Sequence, residues 1–122
     1  MSRAYRRDGA DFLINISNDS WYAGTNGTHQ HGAHVVMRAV ENRIGIARAG
    51  NGGVSQLVDA TGRRHDALGV GVRAYGTGTL WTSDTRTLHT RLGDWVGMAS
   101  TLSMFGLIGF AGHAVQLSRS RR

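Results

Sequence analysis

The chain of 122 residues contains no cysteine and no lysine, and Glu41 is its single glutamate. Without cysteine there is no disulfide framework, no thiolate metal ligand and no thiol nucleophile. Without lysine the basic character comes from arginine alone. The charged N-terminus is not followed by an apolar run, so it does not predict a signal peptide. The chain therefore has neither a thiol nor a lysine amine that could act as a nucleophile.

The formal net charge is +6 at pH 7. Arginines can bind the phosphates of nucleic acid or of lipid headgroups. Here they are spread from Arg3 to Arg122, with no basic run interleaved with aromatic residues. The sequence therefore does not favour a nucleic-acid partner.

Three histidines, His29, His31 and His34, lie within six residues of one another. Imidazoles at this density can ligate zinc or copper. No carboxylate falls within the cluster, and we therefore predict no metal site and no cofactor. A small basic nucleic-acid- or metal-binding protein stays open as one alternative.

The first half of the chain alternates strand-like and helix-like patterns. Residues 11–17 form a short apolar run rich in β-formers, which predicts a buried strand. Residues 20–32 are rich in Gly, Thr, Asn and His and predict a loop. Apolar residues at spacings of three and four then predict an amphipathic helix over 33–43.

Two further strands are predicted at 44–49 and 53–59. Residues 51–53 form a Gly-containing turn between them, and residues 60–63 close the second strand. A last strand is predicted around 79–83.

The compositional break comes after Asp94, since the residues from Trp95 to Ser118 carry no charge. A bilayer-spanning helix needs roughly 20 predominantly apolar residues. We predict a partial globular domain at 1–92, a C-terminal transmembrane helix at 93–118 and a basic tail at 119–122. The alternative for the apolar segment is a buried or amphipathic C-terminal helix. Arginines in the tail place the C-terminus in the cytoplasm and the globular part on the opposite side.

Four motifs carry more information together than separately. They are GADFLINISNDSW at 9–21, MRAVENR at 37–43, RAGNGG at 48–53 and TLHTRLGDW at 87–95. As a set they resemble the carbon-nitrogen hydrolase (nitrilase) superfamily and, within it, the apolipoprotein N-acyltransferase family. The last motif resembles the segment before the final membrane helix of those acyltransferases.

The resemblance implies an α/β fold, the C-terminal half of an α-β-β-α sandwich followed by one transmembrane helix. It also implies acyl transfer by a Cys nucleophile that a Lys and a Glu assist. By the same resemblance, the present chain begins in the helix that follows this nucleophile. Neither Cys nor Lys exists here. We therefore predict no catalytic residue in this chain and no activity of the chain alone.

The resemblance implies a substrate-binding role for four residues that line the pocket: Ser17, Asn18, Asp19 and Trp21. The alternative from the residues alone is structural. Asn18 and Asp19 would then hold a tight turn, and Trp21 would fill the core.

Glu41 lies in the wrong part of the sequence for the family's general base. We predict instead an ion pair between Glu41 and either Arg38 or Arg48.

By resemblance, the partners are a phospholipid acyl donor, an apolipoprotein, the membrane and the missing N-terminal half of the enzyme. The predicted location is the bacterial inner membrane, with the globular part on the extracytoplasmic side. A non-catalytic, membrane-anchored interaction module or a remnant of the enzyme is the second alternative.

Overall fold

The computed structural model describes the backbone of residues 1–120 and, for side chains, residues 1–111, 113 and 116. It divides into two compact units, Met1–Arg91 and Leu92–Arg122.

A mixed sheet organises the first unit. Within residues 1–120, four strands form one sheet in the order β1-β2-β3-β4. The strands are β1 (Phe12–Asn18), β2 (Gly45–Asn51), β3 (Ser55–Val58) and β4 (Arg64–Leu68). β1 and β2 are parallel, whereas the β2–β3 and β3–β4 pairs are antiparallel.

Helices flank and connect these strands. α1 (Ser2–Arg7) precedes β1, and a short 3-10 helix, Ser20–Tyr22, follows it. α2 (Gly27–Asn42) joins the parallel strands β1 and β2, as such a connection requires a crossover. α3 (Leu88–Leu92) and α4 (Trp95–Ser120) complete the element order.

The core lies between α2 and one face of the sheet. Val35 and Ala39, four residues apart on one side of α2, pack with Ile44, Ile46 and Val58. β1 contributes alternate residues to this face because successive side chains of a strand point in opposite directions. Burial of these apolar side chains is the main term that stabilises the unit.

The opposite face of β1 is apolar but exposed. The side chains on this face are Phe12, Ile14 and Ile16, and that of Ile16 is 81% exposed. No strand pairs with the outer edge of β1 within residues 1–120. The first unit thus presents one open apolar surface and one open strand edge.

Three of the predicted strands are confirmed with small shifts at their ends. The burial predicted for 11–17 is wrong, since every side chain of β1 is exposed or half-buried. The segments predicted at 11–17, 44–49 and 53–59 correspond to β1, β2 and β3. The predicted turn is also present, and Gly52 has a φ of 68° there. A residue with a Cβ rarely adopts that conformation, so the glycine is required by the backbone.

The helix prediction was right in kind but wrong in its start. α2 begins at Gly27, six residues before the predicted position, so the predicted loop is shorter than expected. The N–H of Gly27 donates to Thr25 Oγ1 over 3.1 Å, which satisfies one free donor of the first turn. The Gly- and His-rich composition of this turn concealed the helix, because these residues have weak helix propensity.

The predicted strand at 79–83 is wrong. The backbone there forms no strand, and a Cβ added to Gly45 would lie 3.5 Å from both Leu80 Cδ2 and Trp81 O. The segment therefore lies against β2 without pairing with it. The strand that the sequence missed is β4, which is largely polar and exposed and so lacks the apolar alternation of a half-buried strand.

The second unit consists mainly of α4. Asp94 Oδ1 accepts a hydrogen bond from the N–H of Gly97 over 3.2 Å at its first turn. Exposed apolar side chains follow along the helix, namely Val96, Met98, Leu102, Met104, Phe105, Leu107, Ile108 and Phe110.

The transmembrane helix predicted at 93–118 is not confirmed. Among the residues that the structure describes, no helix combines the length and the apolar character that crossing a membrane requires. Part of the prediction falls outside the described residues: the burial of 112, 114, 115, 117 and 118, the side chains of 119 and 120, and all of 121 and 122.

Candidate functional site

The candidate site lies where the parallel strands β1 and β2 end. Asn18 and Asn51, the last residues of the two strands, are directly paired. The N–H of Asp19 then donates to the carbonyl oxygen of Asn51 over 2.8 Å. Ligand sites of open α/β sheets are found at this end of parallel strands, because the loops that leave the sheet there can surround a ligand.

Asp19 is fully buried and is the centre of a polar network. Arg48 Nη2 donates to Asp19 Oδ2 over 2.5 Å, and neither side chain is exposed. The other oxygen, Oδ1, accepts a hydrogen bond from Ser17 Oγ over 2.6 Å and lies 2.8 Å from His31 Nδ1. Because a carboxylate only accepts hydrogen bonds, Nδ1 carries the proton in this contact.

The guanidinium of Arg48 is itself well satisfied. Its Nε donates to the carbonyl oxygen of Val54 over 3.1 Å, and its Nη1 contacts Asn15 Oδ1. Strands β1 and β2 and the turn between β2 and β3 are thereby joined by one side chain. A buried charge needs such a complete set of partners, since its desolvation is costly.

Two opposing effects act on the pKa of Asp19. Burial raises the pKa, but the hydrogen bonds from Ser17, Arg48 and His31 and the charge of Arg48 together lower it below its ordinary value. Asp19 is therefore ionised at neutral pH. It serves as a fixed acceptor and not as a proton carrier.

The turn between β2 and β3 packs directly on this carboxylate. A Cβ added to Gly53 would lie 2.2 Å from Asp19 Oδ2, and one added to Gly52 would lie 2.8 Å from Ser20 Oγ. Only glycine fits this close approach. The turn and the loop after β1 thus pack closely against each other around Asp19.

The four predicted substrate-binding residues are only partly brought together. Ser17 and Asp19 are joined in the network, and Asn18 Oδ1 accepts hydrogen bonds from Ser20 N over 3.3 Å and from Asn51 Nδ2 over 3.2 Å. Trp21 has an exposed fraction of 85%. The predicted turn-holding role is confirmed for Asn18, whereas the Asp19 carboxylate bonds to three side chains and to no backbone group of the turn. The alternative that Trp21 fills the core is wrong. A substrate-binding role for these four residues stays a prediction.

An open pocket adjoins the network on its sheet side. Its volume is about 480 Å³, and it is lined by Ile16, Ser17, Ala49, Gly50, Asn51, Ser55, Val72, Arg73 and Ala74. Of the four predicted residues, only Ser17 lines it. The glycine-rich segment that supplies Val72 and Arg73 could not be placed beside Ser17 from the sequence, because the two are far apart along the chain.

Arg48 and His31 are the network members whose role sequence reasoning missed. The predicted partner of Glu41 was Arg38 or Arg48, and the structure pairs Arg38 Nη1 with Glu41 Oε2 over 2.9 Å. Arg48 is committed to Asp19 instead. A signal was available, since Arg48 is a charged residue inside a predicted strand, and a charge that becomes buried there requires a partner.

The three histidines do not come together as a metal site. Within the described part of the chain, no group of three or more His, Cys, Asp or Glu side chains could hold a metal ion. His31 instead contacts Asp19, and its ring lies edge-on to Tyr22 with centroids 6.0 Å apart.

The network does not form a serine triad. In a triad the serine hydroxyl is hydrogen-bonded to the histidine, which removes its proton. Here Ser17 Oγ donates to Asp19, and His31 contacts the same carboxylate oxygen. The arrangement holds a loop in place and supplies no activated nucleophile.

Comparison with known proteins identifies the family. Residues 1–88 match the carbon-nitrogen hydrolase family, so the chain belongs to that family. Its relatives are apolipoprotein N-acyltransferases. The chain is 34% identical over 94 residues to the apolipoprotein N-acyltransferase from Geobacter metallireducens. This match covers 77% of the present chain and 18% of that relative. The chain is also 36% identical over 95 residues to the apolipoprotein N-acyltransferase from Thermotoga maritima. That match covers 78% of the present chain and 19% of the relative.

The match to the apolipoprotein N-acyltransferase of Gloeobacter violaceus is longer, with 36% identity over 121 residues. It covers 98% of this chain and 23% of that protein. The chain therefore spans about a fifth of the length of the relatives that it matches.

Proposed function

We propose that this chain forms the C-terminal part of an apolipoprotein N-acyltransferase-like enzyme, in which it supplies a wall of the substrate pocket. The acyl donor would be a phospholipid and the acceptor the N-terminal cysteine of an apolipoprotein. The observation that carries the proposal is the buried Asp19–Arg48–His31 network. It holds the loop after β1 rigid at the end of the sheet where ligands bind, within the matched residues.

The chain alone should be inactive. It contains neither cysteine nor lysine, and the one buried carboxylate at the site, Asp19, is committed to three partners. Acyl transfer through a thioester needs a thiolate nucleophile. The nucleophile would come from the missing N-terminal half of the enzyme.

The open surface of β1 supports such a partner. The face carrying Phe12, Ile14 and Ile16 is exposed, and the outer edge of β1 has no paired strand within residues 1–120. Exposed apolar sheet faces and free strand edges favour association. The half-sandwich predicted above thus remains part of the proposal, with the second sheet packing on this face at Phe12 and Ile14 and leaving Ile16 at its rim.

The membrane also belongs to this proposal. The apolar side chains of α4 that the structure describes are exposed along its length. Covering such side chains with lipid removes apolar surface from water and lowers the free energy of the system. We propose α4 as the lipid-contacting element. The bacterial inner membrane, the extracytoplasmic globular part and the cytoplasmic C-terminus stay predictions.

A chimera tests the proposal directly. In the Geobacter metallireducens relative, the matching 94-residue segment would be replaced by the corresponding segment of this chain. We expect the chimera to transfer an acyl group from a phospholipid to a lipoprotein peptide, measured by mass spectrometry. The isolated chain, incubated with the same donor, should gain no acyl adduct.

Matched substitutions in the chimera identify the contribution of the site. Asp19→Asn should lower acyl transfer by about tenfold or more, because loosening a pocket wall misplaces the substrate. Glu41→Gln, which removes the partly exposed ion pair with Arg38, should leave transfer unchanged. A chimera that folds and inserts normally but transfers no acyl chain would refute the proposed function, as would acylation of the isolated chain.

A further inference from the structure

Arg73 is a charged residue beside the site whose side chain has no partner among the described residues. It is exposed, and it takes part in no ion pair and no side-chain hydrogen bond within the described side chains. Arg73 lines both the 480 Å³ pocket that Ser17 also lines and an adjoining pocket of about 230 Å³.

The two pockets form one surface, which we call the Arg73 cleft. They share Gly50, Asn51, Val72 and Arg73. Gly52 and Gly53 line the second pocket, and Gly53 packs on Asp19. The floor of the cleft is therefore the same rigid turn that the buried network holds in place.

The charge balance of the cleft favours an anion. Neither set of lining residues contains an Asp or a Glu. The nearby charge of Asp19 is neutralised by Arg48 at 2.5 Å. Arg73 thus remains as an uncompensated positive charge, and its guanidinium offers a planar fork of N–H donors that matches a phosphate.

A second donor faces the same space. Ser55 Oγ accepts a hydrogen bond from the N–H of Gly50 over 3.0 Å. A hydroxyl that accepts in this way keeps its own hydrogen for another acceptor. Ser55 lines the pocket together with Arg73, so two donors of different kinds border one opening.

The cleft also has apolar walls. Ile16 and Val72 line the larger pocket, and their side chains are 81% and 58% exposed. A free inorganic ion would leave both apolar side chains in water. A ligand that joins a phosphate to an apolar chain would cover them as well.

We propose that the Arg73 cleft binds the phosphate of a phosphodiester amphiphile, with Arg73 as the residue that selects the anionic headgroup. The proposal rests on the proposed function, because it assigns the headgroup of the acyl donor to a place on this chain. Arg73 acts by binding and contacts no reacting atom.

Binding can be measured without any acyl transfer. The full chain, labelled with ¹⁵N in nonionic detergent micelles, would be titrated with dihexanoyl-phosphatidylethanolamine, with inorganic phosphate and with uncharged dihexanoylglycerol. We expect saturable amide shifts at Asn51–Gly53 and Gly71–Ala74 with dihexanoyl-phosphatidylethanolamine. Arg73→Gln should weaken this binding by about tenfold or more, because a charge-assisted hydrogen bond to the phosphate is lost.

Arg86→Gln provides the matched control. Arg86 is exposed and does not line the cleft, and the substitution removes the same charge. Equal weakening by Arg86→Gln, unchanged binding in Arg73→Gln, or no saturable shift in the unsubstituted chain would each overturn the proposal. Binding of inorganic phosphate as tightly as dihexanoyl-phosphatidylethanolamine would assign the cleft to free phosphate and overturn the headgroup assignment.

The two proposals fail separately. An active chimera whose headgroup binding does not depend on Arg73 would remove only the inference about the cleft. An inactive chimera together with Arg73-dependent binding would remove only the acyltransferase function. The spectra themselves report whether each variant is folded.

Discussion

Asp19 and Arg48 are two opposite charges held out of contact with water, 2.5 Å apart. Removing a charge from water costs several kcal/mol, which the pair recovers only when every hydrogen-bonding group is satisfied. Ser17, His31, Asn15 and the Val54 carbonyl meet that requirement. The network therefore favours a single arrangement of the loop. Any arrangement that loses one of these hydrogen-bond partners leaves a buried charge incompletely paired in the low-dielectric interior.

Breaking this pair should be far more costly than breaking a surface pair. We expect Asp19→Ala to lower the free energy of unfolding by about 3 to 5 kcal/mol, because Arg48 is left buried and unpaired. Glu41→Ala, at the partly exposed pair with Arg38, should cost at most about 1 kcal/mol. Urea unfolding of the full chain in detergent measures both. Losses of similar size would contradict the account of the network.

Asp59 should make the stability of the chain depend on pH. Hydrogen bonds from Thr61 and His65, and from the backbone of Arg63 and Thr61, hold the pKa of Asp59 well below its ordinary value, although burial opposes them. A lowered native pKa means that the unfolded chain binds the proton more readily. The contribution of Asp59 to the free energy of unfolding is therefore complete above the pKa of Asp in the unfolded chain, about 4. It is lost as the pH falls through the pKa of Asp59 in the folded chain.

The experiment compares the unsubstituted chain with Asp59→Asn. We expect the free energy of unfolding to decrease as the pH is lowered from 6 toward 2, and Asp59→Asn to make this decrease shallower. Asp8→Asn, at an exposed carboxyl that makes no side-chain hydrogen bond or ion pair within the described residues, serves as the control. An equal effect of the two substitutions on the slope would exclude Asp59 as the source.

At the scale of elements, the turn between β2 and β3 and the loop after β1 act as one structure. The contact depends on close approach of the Gly53 backbone to Asp19. Sequence patterns predicted both segments as turns, but they could not show that the segments touch. Local patterns record spacing along the chain, whereas this contact joins positions more than thirty residues apart.

Glycine substitutions test the close approach. Gly53→Ala should lower the free energy of unfolding by about 1 to 3 kcal/mol, since its Cβ would lie 2.2 Å from Asp19 Oδ2. Gly69→Ala is the control, because its Cβ would meet only Val72 Cγ2 at 3.8 Å. Thermal or urea unfolding distinguishes the two. A Gly53→Ala variant as stable as Gly69→Ala would show that the turn is free to move away from Asp19.

Helix α2 and strand β4 show where local patterns are insufficient. The apolar spacing correctly predicted the middle and end of α2 but not its first turns, where Gly27, His29 and His31 carry no apolar signal. β4 is polar and exposed, so its strand conformation depends on pairing with β3 and not on its own composition. The strand predicted at 79–83 is wrong for the opposite reason. Its residues favour a strand, but no neighbouring strand within residues 1–120 pairs with them.

At the scale of the whole chain, each unit leaves apolar surface exposed. In Met1–Arg91 this surface is the outer face of β1, and in Leu92–Arg122 it is the described part of α4. Uncovered apolar surface of this kind marks a site of association with protein or lipid. The matched relatives are about four times as long as this chain, which fits a segment that packs against further structure.

Association of α4 with lipid gives a prediction at this scale. We expect the full chain to float with phospholipid vesicles and to remain bound in high salt, because apolar contacts are not screened by ions. The double substitution Leu102→Gln and Phe105→Gln should weaken partitioning by about tenfold or more, as each exposed apolar side chain contributes when covered. Ser103→Gln is the matched control. Release by salt alone would instead assign the binding to arginine.

The sequence by itself determined the family, the strand–helix–strand order of the first half and the absence of a thiol nucleophile, because these depend on residue identity and on local periodicity. Only the tertiary structure decided which partners the charged residues take. Arg48 joined Asp19 and not Glu41, and Arg73 came to line the same pocket as Ser17. The physical reason is that burial and close packing select among partners that are distant in sequence, and the cost of desolvating an unpaired charge leaves few acceptable arrangements.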